Sequence, residues 1–449
     1  MQRFIPFDQP PTDRTANGIA LAIGRLISTG TLTVGERMPT VRAVATQLDV
    51  SPTTVSEAWR ILQRHGAIAT QGRRGTFVRG QRQAAAPGRY WQVPVEPGTF
   101  AIDLSTGVPD PALLPPVGPI LGRLELNTPV TSYLDPPVLD ELDTTLRNDW
   151  PFTPELLTVV DGAQDALHRV VDATVNLGDT VIVDEPAYPP LLDSLEQAGA
   201  QVIGIPLDDE GVNVDALDDA LDFDPVALFI QPRSHNPTGV TMSAERAAAV
   251  ADSIADRSII VVEDDHSGAV STAPLNSIGA HHPDKVVHIR SFSKSHGPDL
   301  RLAAVAGAAS PIDTLVRRRR LGPIWSSRLL QRLLFEMLRD DETQAIVAAA
   351  KDEYQRRRSV MVDGLGAGSV TVGGSSGINM WVPVVDEQLA LVTLAAKGIG
   401  AAPGGPFVVE GNGTPHIRVS VGTVADGLEE LAGELAAAAT AEPSRSGAP

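Results

Sequence analysis

The chain has 449 residues, a length that suggests about three domains. Of these residues 43% are hydrophobic, which is enough to form a large core. It has no run of eighteen apolar residues, no basic leader before an apolar segment and no cysteine, which argues against a membrane span and excludes disulfides and cysteinyl metal sites. We expect a cytoplasmic protein that does not enter a membrane.

The net charge of −19 argues against nucleic-acid binding until it is divided along the chain. Residues 1–80 contain ten arginines against five acidic residues, a net charge of +5, which leaves −24 for the rest. A basic segment joined to an acidic body predicts that residues 1–80 approach a phosphate backbone.

Three amphipathic helices and a small hairpin are predicted in this basic segment. Gly30 can end the first helix in a left-handed cap, and Ser51 followed by Pro52 can begin the third. Two alternating segments, 67–70 and 76–78, flank a glycine-containing turn and predict a β wing. The apolar stripes of the three helices are Ile19, Ile23, Leu26 and Ile27, then Val41, Val44, Ala45 and Leu48, then Val55, Ala58, Trp59 and Leu62.

Residues 30–78 resemble the GntR family of winged helix-turn-helix repressors, through the run GTLTVGERMPTVRAVATQLDVSPTTVSEAWRILQRHGAIATQGRRGTFV. The alternative is a three-helix protein-interaction module with solvated arginines. The resemblance implies that the DNA-binding residues are Arg42, Thr53, Thr54 and Arg60, with the wing residues Arg73 and Arg74 on phosphate or in the minor groove.

The predicted domain boundaries follow changes in composition. Residues 1–80 form the DNA-binding domain, and residues 81–100, which are rich in Gly, Pro and Ala, form a linker in which Tyr90 and Trp91 dock on a neighbouring surface. Residues 101–439 form the large acidic domain. The tail, residues 440–449, is expected to be disordered.

Short β-branched runs alternate with helical stretches throughout the large domain, which predicts an α/β fold with a mainly parallel sheet covered by helices on both faces. Ligands bind such sheets at the carboxyl ends of the strands, so the polar residues that follow each run are candidate site residues. The predicted strands are 157–160, 181–183, 227–230, 259–262, 286–289 and 302–306.

Candidate site residues follow five of these runs. The amides of Gly162, Ala163 and Gln164 begin a helix and can hold a phosphate. Tyr188 can lie flat on an aromatic cofactor, and a core tyrosine is the alternative. The remaining loops are QPRSHNPTG with Asn236, EDDHSG with Asp264 and His266, and RSFSKSHGPDLR with Ser291, Ser293, Lys294 and Arg301.

These separated motifs resemble the fold-type I pyridoxal phosphate enzymes, the aspartate aminotransferase family, over residues 102–437. The resemblance implies that Lys294 is the catalytic lysine bonded to the aldehyde of pyridoxal 5'-phosphate, that Asp264 pairs with the pyridine nitrogen and that Asn236 contacts the ring hydroxyl. It also implies a smaller C-terminal α/β lobe.

The same resemblance assigns the groups around the phosphate and the substrate. Arg418 would hold a substrate carboxylate through a two-pronged guanidinium contact. Tyr133 would reach the phosphate of a partner subunit. The phosphate itself would be surrounded by Arg301, Ser291, Ser293 and the amides of Gly162, Ala163 and Gln164.

Two positions depart from the aminotransferase pattern. His266 replaces the tyrosine that contacts the ring oxygen, which disfavours efficient turnover. Pro136 and Pro137 replace the glycine-containing stretch after Tyr133, which puts the geometry of that loop in question.

A GntR-type winged helix followed by an aminotransferase-like domain resembles the MocR subfamily of bacterial regulators, over nearly the full chain. This implies a homodimer that binds operator DNA and responds to an amino acid, an amine or a B6 vitamer. Two alternatives remain: an active aminotransferase with a DNA-binding appendage, and a DNA-binding protein with an empty body.

No metal site is expected. His281, His282 and His296 have no partners at ligand spacing, and surface or loop positions are favoured for them. The basic run 317–320 lies in the acidic body and is interpreted as a solvated helix face.

Overall fold

The computed structural model describes residues 4–7, 11–28, 31–33, 35–64, 67–70, 75–78, 88–93, 96, 98–124, 132–176, 178–409 and 413–442. The chain separates into two compact units, Met1–Ala86 and Pro87–Pro449. The domain boundaries at residues 80, 100 and 439 remain predictions.

The first unit contains three helices and a two-stranded antiparallel hairpin in which Ile68 pairs with Val78. Its elements are α1 (Ala16–Ser28), α2 (Val41–Leu48), α3 (Pro52–Arg64), β1 (Ile68–Thr70) and β2 (Thr76–Val78).

The apolar stripes predicted for these helices form a single core, in which Ile19, Ile23, Val44, Val55 and Trp59 are buried. This is the packing that the helical periodicity requires.

Caps fix the helix ends in this unit. The Ser51 hydroxyl accepts a hydrogen bond from the Thr54 amide at 3.0 Å, as predicted for the start of α3. Asp49 adopts the left-handed conformation and ends α2. The predicted cap Gly30 and the predicted wing residues Arg73 and Arg74 lie outside the described residues.

Within the described residues, the second unit is an α/β fold with a large eight-stranded sheet, a three-stranded sheet in a C-terminal lobe and a separate two-stranded sheet. Its helices are α4 (Val117–Leu121), α5 (Asp140–Asn148), α6 (Ala163–Thr174), α7 (Pro189–Ala198), α8 (Val214–Leu221), α9 (Ala244–Ile254), α10 (Ala309–Arg319), α11 (Arg328–Arg339), α12 (Asp341–Ala367), α13 (Glu387–Ala395) and α14 (Leu428–Ala439). Its strands are β3 (Ile102–Asp103), β4 (Leu156–Val160), β5 (Thr180–Glu185), β6 (Gln201–Asp208), β7 (Gly211–Val212), β8 (Ala227–Ile230), β9 (Ile260–Asp265), β10 (Val286–Ser291), β11 (Ala303–Gly307), β12 (Asn379–Pro383), β13 (Ile399–Gly400), β14 (Ala402–Pro403) and β15 (His416–Ser420).

All six predicted strands belong to the large sheet, whose order is β4-β11-β10-β9-β8-β5-β6-β7. The five strands from β10 to β6 run parallel, whereas β11 is antiparallel to both of its neighbours and β7 is antiparallel to β6. The sheet is therefore parallel at its centre and mixed towards its edges, and the parallel strands all end at the same side.

The C-terminal lobe packs α12, α13 and α14 on the three-stranded sheet β12-β15-β14. Met361, Met380, Ile417, Val419 and Leu431 are buried in its core. This lobe brings β15, and with it Arg418, towards the large sheet. Within the described part of the chain, no helix has the length and apolarity needed to cross a bilayer.

Candidate functional site

A cavity of about 300 Å³ lies where the parallel strands of the large sheet end. It is lined by residues at or beyond the ends of β3, β4, β5, β8, β9 and β10, by Tyr90 and Val93, and by residues from the C-terminal lobe. The predicted site residues in its walls are Ala163, Gln164, Tyr188, Asn236, Asp264, His266, Ser291, Ser293, Lys294, Arg301 and Arg418.

Lys294 presents its amine inside this cavity. The Nζ atom donates a hydrogen bond to the carbonyl oxygen of Gly107 at 3.0 Å. Burial lowers the pKa of the amine to about 8; the nearby Arg418 also lowers it, while Asp264 opposes the shift. About a tenth of Lys294 is thus uncharged at pH 7, far more than of an ordinary lysine, and only the uncharged amine is a nucleophile.

Asp264 lies at the end of β9 and is almost completely buried. Its Oδ2 atom accepts a hydrogen bond from Gln231 Nε2 at 2.8 Å, whereas its Oδ1 atom has no partner in the described structure. Burial raises the pKa of this carboxyl to about 7, and the neighbouring Asp265 adds to the rise. An unpartnered carboxylate oxygen in a cavity is suited to bind a cationic N–H group.

Gln231 positions two of the predicted site residues. Its Nε2 atom donates to Asp264, and its Oε1 atom accepts a hydrogen bond from the backbone amide of Asn236 at 2.7 Å. The side-chain oxygen of Asn236 is buried and has no partner among the described residues.

Asp265 points away from the cavity and has a different electrostatic environment. Arg233 contacts both of its oxygens, at 2.8 and 2.7 Å. Burial alone would raise the pKa of Asp265, but Arg233 outweighs that effect and brings it to about 2. Asp265 is therefore a permanent buried anion that disfavours a second negative charge on Asp264.

The opposite end of the cavity is suited to an anion. Ala163 and Gln164 occupy the first turn of α6, where amides have no acceptor within their own helix. Gly162 precedes them with φ of 102°, and a Cβ atom there would lie 3.4 Å from Arg301 Nη2. Glycine thus allows the Arg301 guanidinium to approach the helix terminus.

Arg418 is a nearly buried guanidinium in the cavity wall. It donates to Asn379 Oδ1 at 3.2 Å and to the carbonyl oxygen of Ser105, while its Nε has no partner. Burial lowers its pKa to about 10. Asp103 is near enough to oppose this shift, but the hydrogen bonds of the guanidinium among the described residues go to neutral oxygens, so Arg418 is available to an acidic ligand.

His266 lines the cavity but its Nε2 atom faces the carbonyl oxygen of Ser234 at 2.9 Å. Burial lowers the pKa of the ring to about 3, and Lys294 contributes to that shift. The imidazole is therefore neutral, and its Nε2–H donates to Ser234 instead of facing the cavity.

Two predicted aromatic residues have different surroundings. Tyr188 precedes α7 and lines the cavity, where burial raises the pKa of its phenol. Tyr133 is 76% exposed, lies outside the cavity and stacks on Trp325 with a centroid distance of 5.9 Å. A contact of Tyr133 with a partner subunit stays a prediction.

The predicted DNA-binding residues in the described part of the first unit lie on its surface. Arg42, Thr53 and Arg60 are exposed, and Thr54 is half-buried beside Ser51. Arg60 forms an ion pair with Glu57 at 2.8 Å. Their contacts with DNA remain predictions.

Twelve residues of the cavity wall were not predicted as site residues from the sequence, among them Gln231, Gly107, Val93 and Phe407. Gln231 directly follows β8, so the strand-end rule that selected Asn236 also applied to it. Gly107, Val93 and Phe407 carry no such signal, because only the folded chain brings them to the site.

In the described residues, no group of three or more His, Cys, Asp or Glu side chains is arranged to hold a metal ion.

Comparison with known proteins identifies both units. Residues 101–435 match the family model of aminotransferase class I and II, and residues 15–78 match that of bacterial regulatory proteins of the gntR family. The chain is 33% identical over 429 residues to the vitamin B6 salvage pathway transcriptional repressor PtsJ of Salmonella typhimurium, covering 94% of this chain and 98% of the relative. The chain belongs to the MocR subfamily of GntR-type transcriptional regulators.

A second relative agrees with this family, and a solved structure agrees with the fold of the second unit. The MocR-type chain is 28% identical to the HTH-type transcriptional regulator TauR of Rhodobacter capsulatus, over 85% of this chain and 87% of TauR. The structure of the kynurenine aminotransferase of Pyrococcus horikoshii superposes with a TM-score of 0.72 at 23% identity, covering 80% of this chain and 95% of that one. The predicted fold class and family are confirmed: the protein is a transcriptional regulator with an aminotransferase-like domain.

Proposed function

We propose that this regulator holds pyridoxal 5'-phosphate in its cavity and changes its operator binding when an amino acid or related amine with a carboxylate enters. One observation carries the proposal: a single cavity contains an amine with a pKa of about 8, at Lys294, and a buried guanidinium without a carboxylate partner, at Arg418. Together they are suited to a ligand that has both an amino and a carboxylate group.

The groups that line the cavity fit the cofactor. The unpartnered oxygen of Asp264 suits a protonated pyridine nitrogen, and the polar side chain of Asn236 suits the ring hydroxyl. Arg301, Ser291 and the first turn of α6 suit the phosphate. When bound, pyridoxal phosphate supplies an aldehyde that exchanges amines and a ring that withdraws electrons.

The protein's own residues then have defined tasks. Lys294 supplies a free amine, because burial keeps its pKa far below the ordinary value. Asp264 holds a proton-bearing nitrogen, and its charge is stabilised by that partner. Arg418 orients the ligand carboxylate through two N–H groups.

Regulation is proposed as the main role, with turnover secondary. His266 donates to Ser234 and does not present an O–H group to the cavity as the family tyrosine would. The similar proteins PtsJ and TauR are both named as transcriptional regulators. Ligand exchange at the cavity needs no later proton transfer to act as a signal.

A second candidate signal is a B6 vitamer. The relative PtsJ is named as a repressor of vitamin B6 salvage, and it aligns over nearly the full length of both chains. In this case the occupancy of the cavity by the cofactor is itself the signal, and Arg418 is dispensable.

We also propose a homodimer. Tyr133, Leu134 and Leu321 are large apolar side chains that are each more than three-quarters exposed. A second copy of the chain would remove such surface from water. It would also bring Tyr133 to the partner's cavity, as the resemblance to fold-type I enzymes implies.

The test uses the full chain loaded with pyridoxal 5'-phosphate and a DNA fragment that the wild type selects from a random pool. The twenty amino acids and the B6 vitamers are screened for a change in visible absorbance and in DNA affinity. We expect an amino acid to change both, and Arg418→Ala to abolish its effect while the exposed-site control Arg317→Ala retains it.

Other outcomes assign the other functions. A response to vitamers alone that survives Arg418→Ala would establish the second candidate. Sustained transamination at about 1 s⁻¹ or faster, without any ligand effect on DNA affinity, would establish the enzyme.

A further inference from the structure

The chain segment that leads from the DNA-binding unit into the aminotransferase-like unit forms part of the cavity wall. Residues 88–93, called here the 88–93 segment, contain the 3₁₀ turn Arg89–Gln92. Tyr90 and Val93 line the same cavity as Lys294 and Arg418. We propose that Tyr90 contacts the bound ligand and helps to select it, so that ligand binding acts directly on the segment continuous with the winged helix.

One end of the 88–93 segment is held by an acidic side chain. The two oxygens of Asp193 accept hydrogen bonds from the backbone amides of Arg89, at 2.8 Å, and Tyr90, at 3.2 Å. A Cβ atom on Gly88 would lie only 2.4 Å from Asp193 Oδ2, so glycine at this position permits the approach. Hydrogen bonds between amides and an ionised carboxylate are among the stronger ones in proteins.

The same segment is also held from the C-terminal lobe. The Arg89 guanidinium donates to the carbonyl oxygen of Val408 at 2.6 Å. Val93 is buried in a small apolar cluster with Ala402 and Phe407. Polar and apolar contacts thus fix a stretch that composition alone predicts to be a linker.

Both supports of the segment carry residues of the cavity. Asp193 belongs to α7, which begins directly after Tyr188. Phe407 packs against Arg418, whose guanidinium carbon lies 5.6 Å from the ring centroid, and it accepts a backbone hydrogen bond from Ala187 at 2.7 Å. A ligand that moves Tyr188, Phe407 or Arg418 therefore moves a support of the 88–93 segment.

Tyr90 is the residue of the segment best placed to meet a ligand. It is 36% exposed although both its backbone and its neighbour Val93 are held in place. It is close enough to Arg418 and Tyr188 to contribute to the pKa of both. A phenol beside a carboxylate-binding guanidinium offers an apolar face and a hydroxyl to the side chain of an amino acid.

The connection to DNA binding follows from the chain itself. Residues 79–87 join the last strand of the first unit, β2, to the 88–93 segment. The proposal requires that a change in the position of the 88–93 segment alters DNA binding through these covalently bonded residues. This inference rests on the proposed function, because it requires an amino compound at Arg418.

The experiment uses the full-length protein loaded with pyridoxal 5'-phosphate and the twenty amino acids as probes. The first measurement determines, for each amino acid, the concentration that produces half of the maximal change in visible absorbance. Tyr90→Ala is expected to change the ratio between the two best amino acids at least about fivefold, the effect of about 1 kcal/mol of differential binding. An unchanged ratio in Tyr90→Ala would overturn the proposed role of Tyr90.

The second measurement tests the link to DNA. Asp193→Asn removes the charge that holds the amides, and we expect the best amino acid to lose most of its effect on the affinity for the selected DNA. Glu196→Gln, an exposed change on the same helix, is the matched control and should keep the full effect. Retained cofactor absorbance in Asp193→Asn distinguishes loss of the link from loss of the fold, and an undiminished effect of the amino acid in that variant would overturn the link.

Hydrogen exchange distinguishes the inference from the proposed function. In the wild type, the amides of Arg89 and Tyr90 should exchange more slowly or more rapidly when the best amino acid is added. If amino acids change the absorbance of the wild type, but neither the exchange of these amides nor the ratio measured in Tyr90→Ala changes, this inference fails and the proposed function stands. If no amino acid changes the absorbance of the wild type, the proposed function fails, and this inference fails with it.

Discussion

His266 Nε2 lies 2.9 Å from the carbonyl oxygen of Ser234. A ring nitrogen that faces a carbonyl oxygen carries the proton, so the tautomer of His266 is fixed by this contact. The ring remains neutral at physiological pH because burial lowers its pKa to about 3.

We therefore predict that His266 contributes no titration step to ligand binding near neutral pH. The absorbance of the protein with bound pyridoxal phosphate should titrate with the same midpoints between pH 5 and 9 in the wild type and in His266→Gln. A step near pH 6.5 that is present only in the wild type would show that the ring does become charged.

Lys294→Ala should abolish the visible absorbance that pyridoxal phosphate gives when it is bonded to the protein. Lys351→Ala, which changes a lysine on α12 away from the cavity, should retain it. In the wild type, the rate of cofactor attachment should rise with pH and level off above about 8, because protonated Lys294 cannot attack an aldehyde. An unchanged absorbance in Lys294→Ala that borohydride still reduces would identify another lysine.

Asp264→Asn should change how the stability of the protein without cofactor depends on pH. The pKa of Asp264 is raised to about 7 in the fold, so its contribution to the free energy of unfolding is greatest below its unfolded pKa near 3.8 and is lost as the pH rises through 7. Relative to Asp264→Asn, the wild type should therefore lose roughly 1–3 kcal/mol between pH 4 and 8.

Urea unfolding at several pH values measures this difference. Asp172→Asn, a change at a half-exposed carboxylate, should follow the wild type. The Asp264→Asn protein should also bind pyridoxal phosphate more weakly, and equal affinity would argue against the proposed pairing with the pyridine nitrogen.

Arg233→Ala should destabilise the protein by roughly 3–5 kcal/mol, because it leaves Asp265 as a buried charge without its ion-pair partner. Arg257→Ala removes an exposed pair with Asp222 and should cost less than about 1 kcal/mol. Denaturant midpoints of the two variants provide the comparison. Equal losses would mean that Asp265 takes up a proton or finds another partner when Arg233 is absent.

Arg60→Ala should reduce the binding free-energy difference between the preferred base pair and the other base pairs by about 1–3 kcal/mol at the position that Arg60 contacts. Arg73→Ala should instead weaken binding to every sequence and reduce its dependence on salt. Binding to a set of single-base variants of the selected DNA, at two salt concentrations, separates the two effects. Undiminished operator binding by a protein that lacks residues 1–80 would contradict the placement of DNA recognition in the first unit.

Much of the fold follows from the sequence because it depends on neighbouring residues. The hydrophobic period of α3 and the hydroxyl of Ser51 at its start are local features, and both predict what the structure contains. The apolar runs that become β5, β8 and β9 are likewise continuous in sequence. Motifs placed directly after such runs, including Asp264 and Asn236, lie at the cavity because parallel strands end on the same side.

Other features of the site depend on residues far apart in the chain. Lys294 donates to Gly107, and Arg89 donates to Val408, across separations that no sequence period encodes. The neutral hydrogen-bond partners of Arg418 among the described residues and the burial that shifts the pKa of Lys294 are properties of the packed interior. The sequence by itself thus determined the helices and strands and the residues at their ends. The tertiary structure decided the partners and charge states of those residues, because solvent exclusion and long-range hydrogen bonds exist only once the chain is folded.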